Sequence, residues 1–121
     1  MEEQKIKMIQ TIAQTIYDKK GSNIIAIDVR GVSSMTNYYI IAEGAVDRHL
    51  QALNREVLDK LKELGYDAVR VEGGKSGDWI AIDGGDIVVH LMTPLMREAY
   101  KLEEVWTEGK LIELNIKTDD E

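Results

Sequence analysis

Residues 77–106 read GDWIAIDGGDIVVHLMTPLMREAYKLEEVW, and their reading decides the fold. Trp79 to Ile82 is one short apolar run, Ile87 to Met92 is another, and Asp83-Gly84-Gly85-Asp86 lies between them. A Gly-Gly pair between two such runs predicts a β-hairpin, because tight two-residue turns need positive φ. The turn is expected at Gly84-Gly85. Thr93 then suits the cap of a following helix, and Pro94 its first position, where a missing N–H costs nothing. This hairpin and helix carry an unusual set of polar and aromatic residues: Trp79, Asp83, Asp86, His90, Arg97, Tyr100 and Trp106.

Working outward, Ile6, Ile9, Ala13, Ile16 and Tyr17 recur at helical spacing and Gly21 is a natural stop. Ile24 to Val29 reads as a buried strand, Arg30 to Asn37 as a loop, and Tyr38 to Ala42 as a second strand closed by Gly44. Asp47 is placed to cap a long helix whose stripe is Leu50, Leu53, Val57, Leu61 and Leu64, with Gly65 ending it. Ala68 to Val71 reads as a third strand. Past the final helix, Ile112, Leu114 and Ile116 alternate with Glu113, Asn115 and Lys117, which allows either a short edge strand or a loose segment. The expected fold is α/β: a single domain with a mixed five-stranded sheet flanked by helices, the domain spanning 1–108 and a tail 109–121.

The 121 residues match one domain, and 44% hydrophobic residues suffice for one core. The net charge of -7 argues against binding nucleic-acid phosphate by a basic surface, and against sequence-specific nucleic-acid recognition. It suits a protein partner with a basic patch. There is no cysteine, which excludes disulfides and thiolate metal sites. No apolar run reaches membrane-spanning length and the first residues lack a signal-peptide pattern, so a cytoplasmic protein without membrane partners is expected.

Catalytic constellations are incomplete. Gly74-Lys75-Ser76 resembles a phosphate-binding loop, but Val69 stands where that motif needs its first glycine, and a strand rather than a helix follows. His49 and His90 have no companion histidine or cysteine. A metal site joining His90 to Asp83 or Asp86 lacks a third ligand, so a hydrogen bond to Asp86 or to backbone is the expected role of His90. Asp83 and Asp86 flank a turn, where carboxylates routinely accept backbone N–H groups. Ser33, Ser34 and Ser76 have no placed base. No enzyme, cofactor or metal is expected.

A binding surface is the better reading. Trp, Tyr, Met and Arg are favoured at interface centres, where they fill pockets and exclude water. On the final helix Leu95, Ala99, Leu102 and Trp106 make one stripe, expected to face the core, and Met96 and Tyr100 make a second beside it. Trp79 begins its strand just after a glycine-rich loop, a poor place to bury an indole fully.

An ordered set of motifs carries a family resemblance over residues 6–106. It comprises Ile25-Ala26-Ile27-Asp28-Val29, Asn37-Tyr38-Tyr39-Ile40-Ile41-Ala42-Glu43-Gly44 and Asp47-Arg48-His49. Glu72-Gly73, Asp78-Trp79-Ile80 and the run from Asp83 to His90 follow, and Arg97-Glu98-Ala99-Tyr100-Lys101-Leu102-Glu103 with Trp106 completes it. The chain resembles the ribosomal silencing factors, also called the Iojap or YbeB family. It departs from their pattern at Ala45-Val46, at Gly84, and in the tail after Trp106. The resemblance implies a nucleotidyltransferase-like fold without activity, since Gly44-Ala45 lacks the serine of those enzymes. It implies binding to the large ribosomal subunit through its fourteenth protein, steric blocking of small-subunit joining, and translational repression when nutrients are scarce. The alternatives are a large-subunit assembly factor and a degenerate nucleotide-binding protein. Together with the residue reading, it places Trp79, Ile82, Met92, Met96 and Tyr100 at the centre of the contact, ringed by Asp83, Asp86 and Arg97. A homodimer through the same face is a further expectation.

Overall fold

The computed structural model describes residues 2–73, 77–101 and 108–118. The chain runs α1 (Glu2–Asp18), β1 (Ser22–Asp28), β2 (Tyr38–Glu43), α2 (Asp47–Glu63), β3 (Arg70–Gly73), β4 (Trp79–Asp83), β5 (Ile87–Met92), α3 (Pro94–Tyr100) and β6 (Lys110–Ile112). The strands form one sheet in the order β3-β4-β5-β2-β1-β6. Only β2 and β5 pair in parallel, and the other neighbours are antiparallel. Among the described residues the sheet therefore has six strands, not the expected five, because the tail takes the edge-strand course: Leu111 pairs with Ile27 on β1. Beyond it the chain follows α1, where Lys117 N donates to Gln14 Oε1 at 2.8 Å and Gln14 Nε2 returns a bond to the Lys117 carbonyl.

The two long helices close one face of the sheet. Ile9, Ile12, Ala13 and Ile16 from α1 and Leu50, Leu53, Val57 and Leu61 from α2 are buried there, at the spacing that puts residues on one side of a helix. Against them stand Ala26, Tyr38, Ile40, Ala42, Ile80, Ile82, Ile87, Val89 and Leu91. At roughly 1.5–3 kcal/mol per buried large aliphatic side chain, this layer dominates the stability. Helix α2 ends as its glycine foretells. Gly65 adopts φ +99, its N–H donates to the Lys62 carbonyl, and Tyr66 N–H reaches back to Leu61, a Schellman end. The start of α2 corrects the sequence reading: the cap position is Val46, with no side-chain cap bond. His49 serves instead. Its Nδ1 accepts from Ala45 N–H at 3.0 Å while Nε2 lies 2.8 Å from the Lys19 carbonyl, joining the helix start to the end of α1.

The β4–β5 hairpin forms, with its turn one residue later than expected. Trp79 pairs with Met92 and Asp83 with Val88, which leaves Gly85 and Asp86 as the central residues. Gly84 N–H donates to the Ile87 carbonyl. Gly85 alone takes positive φ, +98, the pattern of a type II′ turn. Helix α3 starts as read: Thr93 Oγ1 accepts from Met96 N–H and Pro94 holds the first position. It ends at Tyr100, with Lys101 left-handed.

A half-covered sheet face as candidate binding site

The opposite face of the sheet is built differently. Ile27, Val29, Tyr39, Ile41 and Met92 are buried on it, and Ile25, Trp79, Val88 and Met96 are partly so. Of the described helices, only α3 packs on this face, and it has seven residues. Among the described residues no other helix covers the face, and it runs on to β3, whose four residues are all exposed.

Four rings cross this face in a row. Tyr39 on β2 stacks on His90 on β5, centroids 5.5 Å apart and planes 23° apart. His90 meets Trp79 of β4 at 5.8 Å, and Trp79 meets Tyr100 of α3 at 4.9 Å in a tilted geometry, within the range aromatic pairs favour. Trp79 Nε1 donates to His90 Nδ1 at 3.0 Å. Trp79, rather than the expected Asp86, is thus a side-chain partner of His90, because Asp86 lies on the helix side with Tyr66 and Lys5. Burial holds His90 neutral by lowering its pKa from 6.5 to about 4. Burial likewise raises the pKa of Tyr39, opposed by a hydrogen bond with Ser33 and aided by the Asp83 charge.

Two adjoining hollows lie along the row. One, of about 400 Å³, is lined by Glu72, Gly73, Trp79, Ala81 and His90. The other, of about 170 Å³, continues it through Met35, Tyr39, Asp83 and Val88. Met35 is 82% exposed and Tyr100 57%. Gly73 shapes the near wall: at φ +84, an added Cβ would stand 2.2 Å from the Trp79 carbonyl oxygen. Only glycine allows β3 to pass so close to Trp79.

The expected contact residues separate accordingly. Trp79, Met96 and Tyr100 lie on the half-covered face, and Asp83 walls the second hollow while its Oδ1 accepts from Gly85 N–H at 2.8 Å. Ile82 does not belong there. It is 0% exposed among the helix-side residues, because alternate residues of a strand point to opposite faces and Trp79 and Ile82 differ in parity. Met92 has the right face but is 0% exposed. Asp86 is held on the helix side, accepting from Tyr66 Oη at 2.8 Å and pairing with Lys5. That hydrogen bond from Lys5 to Asp86 is also the main reason the lysine pKa is raised. Arg97 is turned inward: 8% exposed, it donates to the Asn23 carbonyl and lies 3.5 Å from Glu43, pinning α3 to the ends of β1 and β2.

On α3 the roles of the stripes are reversed. Leu95 is 84% exposed, whereas Met96 and Arg97 face inward. Leu102, Glu103 and Trp106 lie outside the described residues, as do Gly74, Lys75 and Ser76. Sequence reasoning missed Met35, Tyr39, Glu72, Ala81, Val88 and His90 as members of the site, although Glu72 and the run from Asp83 to His90 already stood out as family motifs. Among the described residues no group of three or more His, Asp or Glu is placed to hold a metal ion. No described helix is long and apolar enough to cross a membrane.

The fold is that of a single α/β domain with a mixed sheet, and comparison with known proteins identifies the class to which it belongs. The family model described as ribosomal silencing factor during starvation matches residues 2–121, so the chain belongs to the ribosomal silencing factor family. The ribosomal silencing factor RsfS of Chromobacterium violaceum is 40% identical over 103 residues, covering 84% of each chain. That of Bacillus subtilis is 32% identical over 108 residues, covering 89% of this chain and 92% of the other. A mouse protein named Mitochondrial assembly of ribosomal large subunit protein 1 is 32% identical over 102 residues; these are 82% of this chain and 45% of the mouse protein. A crystal structure of a Chromobacterium violaceum protein superposes with a TM-score of 0.78 at 36% identity, covering 99% of this chain and 98% of that one.

Proposed function

We propose that this protein represses translation by binding the large ribosomal subunit through the half-covered sheet face, and that it does so by occupying space rather than by catalysis. The observation that carries this is the row Tyr39–His90–Trp79–Tyr100 with exposed Met35 beside it, a surface with more aromatic and sulfur area than a solvated face needs. The partner suggested by family resemblance is the fourteenth protein of the large subunit, on the side that meets the small subunit. A bound factor there would keep the subunits apart. The net charge of -7 suits a basic ribosomal surface and speeds the encounter. The revised contact set is Trp79, Met96, Tyr100 and Met35, with buried Tyr39 supporting the row from beneath and Asp83 and Glu72 at the rim. Acting on ribosomes, the protein works in the cytoplasm, needs no cofactor, and self-associates through the same sticky face when concentrated.

Sedimentation of the pure protein with separated subunits and joined ribosomes tests this. The protein should travel with large subunits, be absent from joined ribosomes, and lower the yield of joining. Comigration with small subunits, or undiminished joining at saturating protein, would overturn it. Calorimetry with nucleoside triphosphates and magnesium should show no saturable binding; a saturable signal would favour the nucleotide-binding alternative.

A further inference from the structure

The indole of Trp79 is not left to find its own orientation. Its N–H is spent inside the molecule on His90 Nδ1, 3.0 Å away. Indole nitrogen only donates, so Nδ1 must be the unprotonated nitrogen of His90, and the neutral ring carries its proton on Nε2. Tyr39 stacks on the far side of the imidazole at 5.5 Å, which fixes the ring plane. Tyr100 closes on the indole from α3 at 4.9 Å. His90 also lies at the floor of both hollows. Among the described residues lining the two hollows, the other titratable groups are Tyr39 on β2, Glu72 on β3 and Asp83 on β4.

We propose that His90, as the Nε2-protonated neutral imidazole, is a positioning residue of the docking face: it holds the Trp79 indole in its binding orientation and removes its N–H from the partner's reach. This rests on the reading of that face as the ribosome-binding surface. Two consequences follow. The partner meets Trp79 through the apolar ring face rather than through a hydrogen-bond acceptor at its edge. The ring is also ordered before binding, so little rotamer freedom is lost on contact. Neither consequence holds once the acceptor is gone, because a freed indole N–H needs water or a new partner and the ring can turn.

The test uses the full chain with Trp106→Phe, which leaves Trp79 as the one tryptophan of the two. Nitrogen-15 NMR of the free protein should show His90 unprotonated at Nδ1 and a slowly exchanging indole N–H. A protonated Nδ1, or an indole N–H exchanging at the rate of free tryptophan, would overturn the proposal without reference to the ribosome. His90→Leu removes the acceptor, and His90→Asn keeps an oxygen near the Nδ1 position. His90→Leu should speed indole exchange and weaken large-subunit binding about tenfold, with His90→Asn recovering affinity to within about threefold of the parent. If His90→Leu binds like the parent while Trp79→Ala does not, the positioning role fails and the docking face stands. If Trp79→Ala also binds like the parent, the docking face itself is wrong.

Discussion

One sheet presents two faces made from the same strands, and they are finished in opposite ways. Towards α1 and α2, Ile40, Ile80, Ile82, Val89 and Leu91 are sealed by two seventeen-residue helices and hardly see water. Towards α3, residues one step out of phase carry rings: Tyr39 is buried, Trp79 and His90 are half-buried, and the seven-residue α3 meets only Trp79 among them, through Tyr100. Aliphatic residues packed to completion hold the fold. Aromatic residues with polar tips, left half-covered, keep contact area available for another molecule. The proposed function gives stability to one face and recognition to the other, and each assignment can be broken separately.

The largest effect should come from the sealed face. Leu53→Ala removes a side chain that is 0% exposed and should cost about 2–5 kcal/mol of folding stability. Its large-subunit affinity, measured below the melting temperature, should stay at the parent value. Acid should come next, and it acts on the open face. His90 titrates near 4 folded and near 6.5 free, so on acidification the unfolded chain takes up its proton first. Stability should therefore fall as pH drops from 6.5 to 4, by roughly 3 kcal/mol from this group under the linkage relation. Thermal unfolding of His90→Phe across that window should show a correspondingly flatter profile; an unchanged slope would remove His90 as the cause. Trp79→Ala should reverse the Leu53 pattern, losing at least about 2 kcal/mol of binding. Its stability loss should fall below the roughly 3–5 kcal/mol of a fully buried aromatic. The smallest effect belongs to the helix that half-covers the face. Thr93→Ala removes a 3.4 Å cap bond to Met96 N–H and should cost about 0.5–1 kcal/mol of stability. If the same change weakens binding as well, the position of α3 belongs to the recognition surface.

Much of this was legible in the sequence, and the failures have physical causes. The helical stripe of α2 and the hairpin could be read because one-sided burial leaves a clean period. The turn fell at Gly85-Asp86 rather than Gly84-Gly85, since a II′ turn needs glycine only at its first central position. That shift moves each cross-strand partner by two residues and so leaves every side chain on its expected face. Ile82 was misplaced by grouping it with Trp79, although strand alternation already separates them. Tyr39 was hidden because β2 is buried on both sides from Tyr38 to Ala42, which erases alternation. Arg97 and Asp86 look like surface charges in sequence, and only the tertiary partners Glu43, Asn23, Tyr66 and Lys5 show them to be structural. Met35 sits in an irregular loop, where no period points to a face.

Met35 offers the most direct test of the central claim. At 82% exposure it contributes little packing, so Met35→Glu should leave thermal unfolding unchanged while placing a charge at the edge of the aromatic row. Arg55→Glu, exposed on α2, is the control: it alters the net charge more, on the far side of the sheet. Equilibrium binding of both folded variants to purified large ribosomal subunits decides the matter. The account predicts at least about a tenfold loss for Met35→Glu and near-parental affinity for Arg55→Glu. Parental binding by Met35→Glu, or an equal loss in both variants, would contradict it.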